Sequence, residues 1–279
     1  MEIIIKDLKK TFGEKVAVDI PALTIRSGEL LGLVGNNGAG KSTLFRLMLD
    51  LIKADTGTVC MKAGSPLPAP PLGECSSATA PSALPFSENE ALPQRGSGEG
   101  AGWSGEAINV AETEVWKDWT GAFVDESFLI DYLTPDEYFH FIARLTDTSD
   151  EQLQAFLDEY QHFMADELAG QKKLIRTLSA GNKQKVGIMA AMLLQPKVLI
   201  LDEPFNFLDP SSQNAIKHLL QKYNKKTGAT ILVSSHNLQH TVDISSRIVL
   251  LEHGKVIQDI DNREHQAQSI LENYFEINE

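Results

Sequence analysis

Residues 35–43, Gly-Asn-Asn-Gly-Ala-Gly-Lys-Ser-Thr, constrain this chain more than any other segment. They follow the spacing G-x-x-x-x-G-K-[ST]. In that pattern glycines allow turns that a side chain would obstruct, and successive backbone N–H groups converge on phosphate oxygens. Residues 29–34, rich in Leu and Val, read as a strand before the loop. Residues 43–52, TLFRLMLDLI, place apolar side chains at 44, 45, 47, 48, 51 and 52, the spacing of a helix with one broad buried face. A strand, a phosphate loop and a helix in succession make the chain an α/β protein that binds ATP. Gly35, Asn36, Asn37, Gly38, Ala39, Gly40, Lys41, Ser42 and Thr43 are the nucleotide-binding candidates. Lys41 supplies positive charge to the β and γ phosphates, and the Ser42 hydroxyl is placed to bind Mg²⁺.

A second segment supports hydrolysis. Val198-Leu199-Ile200-Leu201 is a fully apolar run, as a buried parallel strand requires, and Asp202-Glu203-Pro204 follow it. Ligand sites in α/β sheets lie at the C-terminal ends of strands. Asp202 there reaches the Mg²⁺, and Glu203 orients or deprotonates the attacking water. Two acids after a strand are by themselves often only solvated carboxylates. Beside a phosphate loop they indicate chemistry.

The rest of the chain reads as alternating elements with one interruption. Residues 2–5 form a strand. From 64 to 107 Pro, Gly, Ser, Ala and Glu dominate with no hydrophobic period, which reads as a flexible insertion. Thr134-Pro135-Asp136-Glu137 is a capping box opening a helix, and a second helix spans about 149–164. A helix over 180–194 ends at Pro196, and residues 212–223 form another. Residues 229–234 form a strand, and 247–260 a hairpin turning at His253-Gly254. A short amphipathic helix is expected at about 264–275.

The 279 residues suit one α/β domain with a small subdomain. Cys60 and Cys75 make neither a disulfide framework nor a metal site. The N-terminus lacks the apolar core and cleavage site of a signal peptide. The best membrane-span candidate, 186–194, is too short and stops at Gln195-Pro196. A formal charge of −13 opposes binding to nucleic acid, which is not an expected partner.

With these pieces in order, the chain resembles the ATP-binding subunit of an ATP-binding-cassette transporter. Leu178-Ser179-Ala180-Gly181-Asn182 is similar to the family's signature Leu-Ser-Gly-Gly-Gln, departing at Ala180 and Asn182. The resemblance implies a P-loop NTPase core with N-terminal antiparallel β elements, an ATPase domain over 1–279 and a helical subdomain over 127–180. It also implies that Ser179 and Gly181 contact the γ-phosphate held by an opposite subunit. Phe12 corresponds to an aromatic that stacks on adenine, and Asn206-Phe207-Leu208-Asp209 to the loop crossing the dimer interface near Asp209. His236, in Val233-Ser234-Ser235-His236, corresponds to a switch histidine on the γ-phosphate and joins Glu203 and Lys41 as a catalytic candidate. Asp125 stands where the family has a glutamine that touches Mg²⁺, so Ser42, Asp202 and Asp125 are the metal candidates.

The implied partners are a second ATP-binding subunit, identical or homologous, and separate transmembrane permease subunits. These would hold the chain on the cytoplasmic face of the cell membrane. The segment 121–134 is similar to drug and lipid exporter ATPases, a lean towards export, and an acid at the Asp125 position resembles members similar to peptide-antibiotic exporters. A soluble cassette ATPase acting on ribosomes or DNA is the main alternative, and the chain lacks the second cassette, coiled coil or zinc-binding insertion usual there. A non-hydrolysing regulatory module is a further alternative, opposed by Glu203 and His236.

Overall fold

The computed structural model describes residues 1–63, 107–164, 168, 172–264 and 267–271. The chain opens with β1 (Glu2–Phe12) and β2 (Lys15–Ile25), paired antiparallel with Phe12 opposite Lys15. Alternate residues Ile3, Ile5, Val18 and Ile20 are buried, the half-buried pattern of a sheet with one apolar face. β1 runs further than the apolar run 2–5 suggests. Its polar second half is held by ladder bonds to β2, which the residue pattern of β1 alone does not reveal. The chain then enters β3 (Leu30–Val34), rounds the phosphate loop into α1 (Lys41–Met48), and returns to β1 through β4 (Thr56–Lys62). With β5 (Ile108–Asn109) these make a four-stranded sheet ordered β2-β1-β4-β5. The insertion expected over 64–107 lies, but for its last residue, outside the described residues.

β6 (Thr120–Phe123) leads into a helical block: α2 (Pro135–Leu145), α3 (Asp150–Glu159), α4 (Gln161–Met164) and α5 (Ala180–Met192). Thr134 and Glu137 form the expected capping box on α2, and Ser149 with Gln152 forms another on α3. The single helix expected over 149–164 breaks at Tyr160, where α3 ends. Beyond α5 come β7 (Val198–Leu201), α6 (Pro210–Thr227), β8 (Thr230–Ser235), α7 (Leu238–Val242), β9 (Arg247–Glu252) and β10 (Lys255–Asp261). Residues 267–271 are helical, and 265–266 and 272–275 of the expected tail helix lie outside the described residues.

The second sheet is ordered β10-β9-β3-β8-β7-β6, parallel except for β10. It is apolar on both faces. Val198 and Ile200 pack towards the antiparallel sheet with Phe45, Leu31 and Leu33, whereas Leu199 and Leu201 pack towards the helices with Val186, Met189 and Leu220. This is a mixed α/β fold of the P-loop NTPase type. Its central strands β3, β8 and β7 end side by side, bringing residues far apart in sequence to one edge.

Candidate active site

The phosphate loop leaves the C-terminal end of β3 under tight steric control. A Cβ on Gly35 would lie 2.2 Å from the Leu251 carbonyl oxygen, and one on Gly40, where φ is +109°, 2.3 Å from that of Ala17. Glycine is therefore required at both positions. Gly254, at the β9–β10 turn, donates its N–H to the Ala39 carbonyl at 2.9 Å and braces the loop from behind. Lys41 is 5% exposed. Its ammonium donates to the carbonyls of Gly35 at 2.7 Å and Asn36 at 3.4 Å, and lies 3.4 Å from Glu203 Oε1. A buried ammonium needs such partners.

Asp202 follows β7 and is also buried. Burial raises its carboxyl pKa, opposed by hydrogen bonds from the Ser234 and Ser42 hydroxyls. Next to it, Glu203 has φ +47°, a left-handed backbone unusual for a residue with a side chain. Its N–H donates to Ser234 Oγ at 2.8 Å, and its carbonyl accepts from Gln184 Nε2 at 3.2 Å. Its carboxylate bridges two groups: Oε1 faces Lys41, and Oε2 accepts from the His236 N–H at 3.2 Å and lies 2.8 Å from His236 Nδ1.

These groups border one cleft of about 430 Å³, lined by Phe12, Lys15, Ala17, residues 37–43, Glu203, Asn206 and His236. The volume suits a small-molecule ligand. Phe12, at the end of β1, is half exposed and carries Lys10 Nζ 5.5 Å from its ring centroid. Gly35 and Asn36 act from outside the cleft lining, through Lys41. The Ser42 hydroxyl lies close enough to Asp202 to help lower its carboxyl pKa.

Besides Gly35, Asn36 and Asp202, the candidates Ser179, Gly181, Asp209 and Asp125 also lie outside the cleft lining. Ser179 caps α5, its Oγ accepting from the Asn182 N–H at 3.2 Å. An added Cβ on Gly181 would lie 2.6 Å from the Phe207 carbonyl oxygen. Asp209 caps α6 by accepting from the N–H groups of Ser211 and Ser212, bonds that hold its carboxyl well below the usual range. Asp125 is the departure that matters for the metal. Its Oδ1 accepts from Ser127, and its Oδ2 pairs with Arg46 Nη2 at 3.2 Å. Conversely, Lys15, Ser234 and Gln184 were given no role from the sequence, and Asn206, read only as part of the interface loop, lines the cleft. A serine inside the apolar run of β8 was the available signal, because a buried hydroxyl needs partners. For Lys15 there was none.

The donors that Ser42 and Asp202 offer are oxygens, and few. That fits Mg²⁺, a hard cation that keeps water and substrate phosphates as its remaining ligands.

A profile of the ABC transporter family matches residues 18–206, more than half of the chain. The chain belongs to the ABC transporter family. It is an ATPase cassette, with ATP as its nucleotide and Mg²⁺ as its cofactor. It is 28% identical over 258 residues to a probable sulfate/thiosulfate import ATP-binding protein of Chlorella vulgaris, covering 92% of this chain and 90% of that protein. It is 28% identical to the methionine import ATP-binding protein of Brucella abortus over 91% of this chain but only 58% of that longer protein. The dimeric structure of a bacterial ABC transporter cassette has the same fold, with a TM-score of 0.69 at 22% identity, covering 94% of this chain and 99% of that one. These two sequence relatives are named for import, which does not support the lean towards export drawn from residues 121–134.

Proposed function

We propose that this chain is the energy-supplying subunit of a transporter, hydrolysing ATP between two cassettes and passing the resulting closure to separate membrane permeases. The observation that carries this reading is the convergence of Lys41, Ser42, Asp202, Glu203 and His236 at adjacent strand ends, while Ser179 and Gly181 stand outside the same cleft. A site whose signature residues lie elsewhere on the chain is half a site. A second copy, or a homologue, would complete it, and the dimeric assembly of the structural relative supports that arrangement.

In this reading Lys41 and the loop N–H groups hold the phosphates, and the side chains of Ser42 and Asp202 hold Mg²⁺, which neutralises charge on the transferred phosphoryl group. Glu203 accepts the proton of the attacking water. His236 fixes the carboxylate through Nδ1 and its backbone N–H. Phe12, at the open end of the cleft, stacks on the base. Closure draws on differential affinity, since only ATP bridges the two halves.

Among the described residues no helix is long and apolar enough to cross a membrane. In this reading the transport path belongs to transmembrane partner subunits, and this chain sits on their cytoplasmic side. The import names of the two relatives favour uptake as the direction.

The test is size-exclusion chromatography of Glu203→Gln with MgATP, together with isolation of the membrane protein that co-purifies with the wild type. Dimer formation on MgATP and a co-purifying permease are expected. A monomer that hydrolyses ATP at full rate at every concentration and retains no membrane partner would refute the proposal.

A further inference from the structure

Glu203 is held in a backbone conformation that its own chemistry disfavours. It is a non-glycine residue with φ +47°, and Pro204 after it restricts its backbone further. Such a conformation persists only where the surroundings impose it. Both of its backbone polar groups are engaged, each by a buried side chain. Ser234 Oγ, fully buried on β8, accepts the Glu203 N–H at 2.8 Å. Gln184 Nε2, from α5, donates to the Glu203 carbonyl at 3.2 Å.

The Ser234 hydroxyl has a single proton, and it is committed to Asp202 Oδ1. One hydroxyl thus accepts from the residue that aims at water and donates to the residue that aims at Mg²⁺. Alanine or valine at 234 could do neither. Gln184 reaches Glu203 from the first turns of α5, the helix that Ser179 caps. A shift of that helix N-terminus pulls directly on the Glu203 carbonyl.

We propose that Ser234 and Gln184 are positioning residues that clamp the Glu203 backbone from two sides and so set the aim of its carboxylate. The clamp rests on the assignment of Glu203 as the hydrolytic carboxylate, and it ties that carboxylate to the signature helix of the same chain. A merely structural pair would stabilise the fold without separating turnover from binding. A positioning pair affects the chemical step and leaves Mg²⁺-free nucleotide affinity alone, because neither side chain lines the cleft.

The experiment compares Ser234→Ala, Ser234→Thr and Gln184→Met in the full chain. It measures kcat and KM for ATP, fluorescent-nucleotide affinity with and without Mg²⁺, and melting temperature. Ser234→Ala should lose roughly tenfold or more in kcat with Mg²⁺-free affinity within about twofold, since small misplacement of a reacting group carries a large rate penalty. Ser234→Thr restores the hydroxyl and should recover most of the loss. Gln184→Met should lower kcat by roughly threefold or more at unchanged KM.

The clamp is overturned if kcat stays within about twofold in both Ser234→Ala and Gln184→Met, if threonine is as slow as alanine, or if Mg²⁺-free affinity falls in step with kcat. Should Ser234→Ala not fold, Gln184→Met decides alone. A wild type that hydrolyses no ATP would instead defeat the hydrolytic assignment. In that case a crystal structure of Gln184→Met decides the clamp independently: release of Glu203 from Lys41 and His236 supports it, and retention of both contacts overturns it.

Discussion

Glu203 and Lys41 are paired across the cleft, carboxylate to ammonium at 3.4 Å, with the lysine almost wholly buried. The carboxylate is the anionic partner of an ammonium that also donates to the carbonyls of Gly35 and Asn36. Nucleotide phosphates carry more charge and take over that partnership. Lys41→Ala should therefore weaken MgATP binding by about 100-fold or more through lost phosphate contacts, read by equilibrium titration. Unchanged affinity contradicts the role given to Lys41.

Glu203→Gln separates binding from chemistry. The amide keeps the shape but accepts no proton, so turnover should fall by about 10²–10⁴-fold. Affinity for MgATP should hold or tighten, because the competing internal carboxylate is gone. Hydrolysis at the wild-type rate would remove Glu203 from the mechanism.

Asp125 pairs with Arg46 and with Ser127, contacts that occupy both of its carboxylate oxygens. Burial raises its pKa, but the bonds from Ser127 and Arg46 outweigh burial and leave it lowered. Asp125 caps the 3₁₀ helix Glu126–Phe128, so Asp125→Ala should lower stability by about 0.5–2 kcal/mol, with little from the exposed ion pair. The Mg²⁺ concentration giving half-maximal hydrolysis should stay within about twofold of the wild type, because the remaining oxygen donors suffice for a cation that keeps its waters. A clear increase in that concentration would return Asp125 to the metal site.

The elements legible in the sequence are those whose signal is local. The phosphate loop needs its glycines, β7 must be apolar throughout, and α2 carries its capping box within four residues. The antiparallel sheet was harder to read. The second half of β1 is largely polar and owes its strand conformation to β2, a partner that the β1 pattern does not specify. The same applies within the site. Lys41, Ser42, Asp202, Glu203 and His236 were found because each sits in an ordered motif. Ser234, Gln184 and the Arg46 partner of Asp125 act through contacts between residues 31, 19 and 79 positions apart. Those contacts exist only once the sheet and helices are assembled.

His240 offers a pH test of stability. Its Nδ1 is buried without a partner, and its ring lies 5.0 Å from that of Phe205. Burial lowers its pKa below the ordinary 6.5, and Lys217 adds to the effect. Below 6.5 the unfolded chain therefore binds the proton more readily than the folded one. The stabilisation is complete above 6.5 and is lost as pH falls through the folded-state value. His240→Phe keeps the ring contact and removes the titration. Denaturant unfolding should show a shallower acid decline below 6.5 for the variant and similar curves at pH values well above it. Parallel declines would show that His240 does not contribute.

Ser179 gives the sharpest test of a shared site, because its two roles make opposite demands. As the cap of α5 it accepts the Asn182 N–H, a role that aspartate fills as well as serine and alanine does not. As a contact for a phosphate held by another copy, aspartate is the worst choice, since it sets like charges together at a helix N-terminus otherwise suited to anions. Ser179→Asp should thus melt like the wild type yet hydrolyse little ATP, whereas Ser179→Ala should lose about 0.5–2 kcal/mol of stability. Mixing Ser179→Asp with Lys41→Ala then locates the defect. In a mixed dimer one site combines both lesions, and the other combines an intact phosphate loop with an intact signature segment. Random pairing should restore about a quarter of wild-type activity from two nearly inactive proteins. No recovery at any mixing ratio would mean that Ser179 does not serve a site on a second copy.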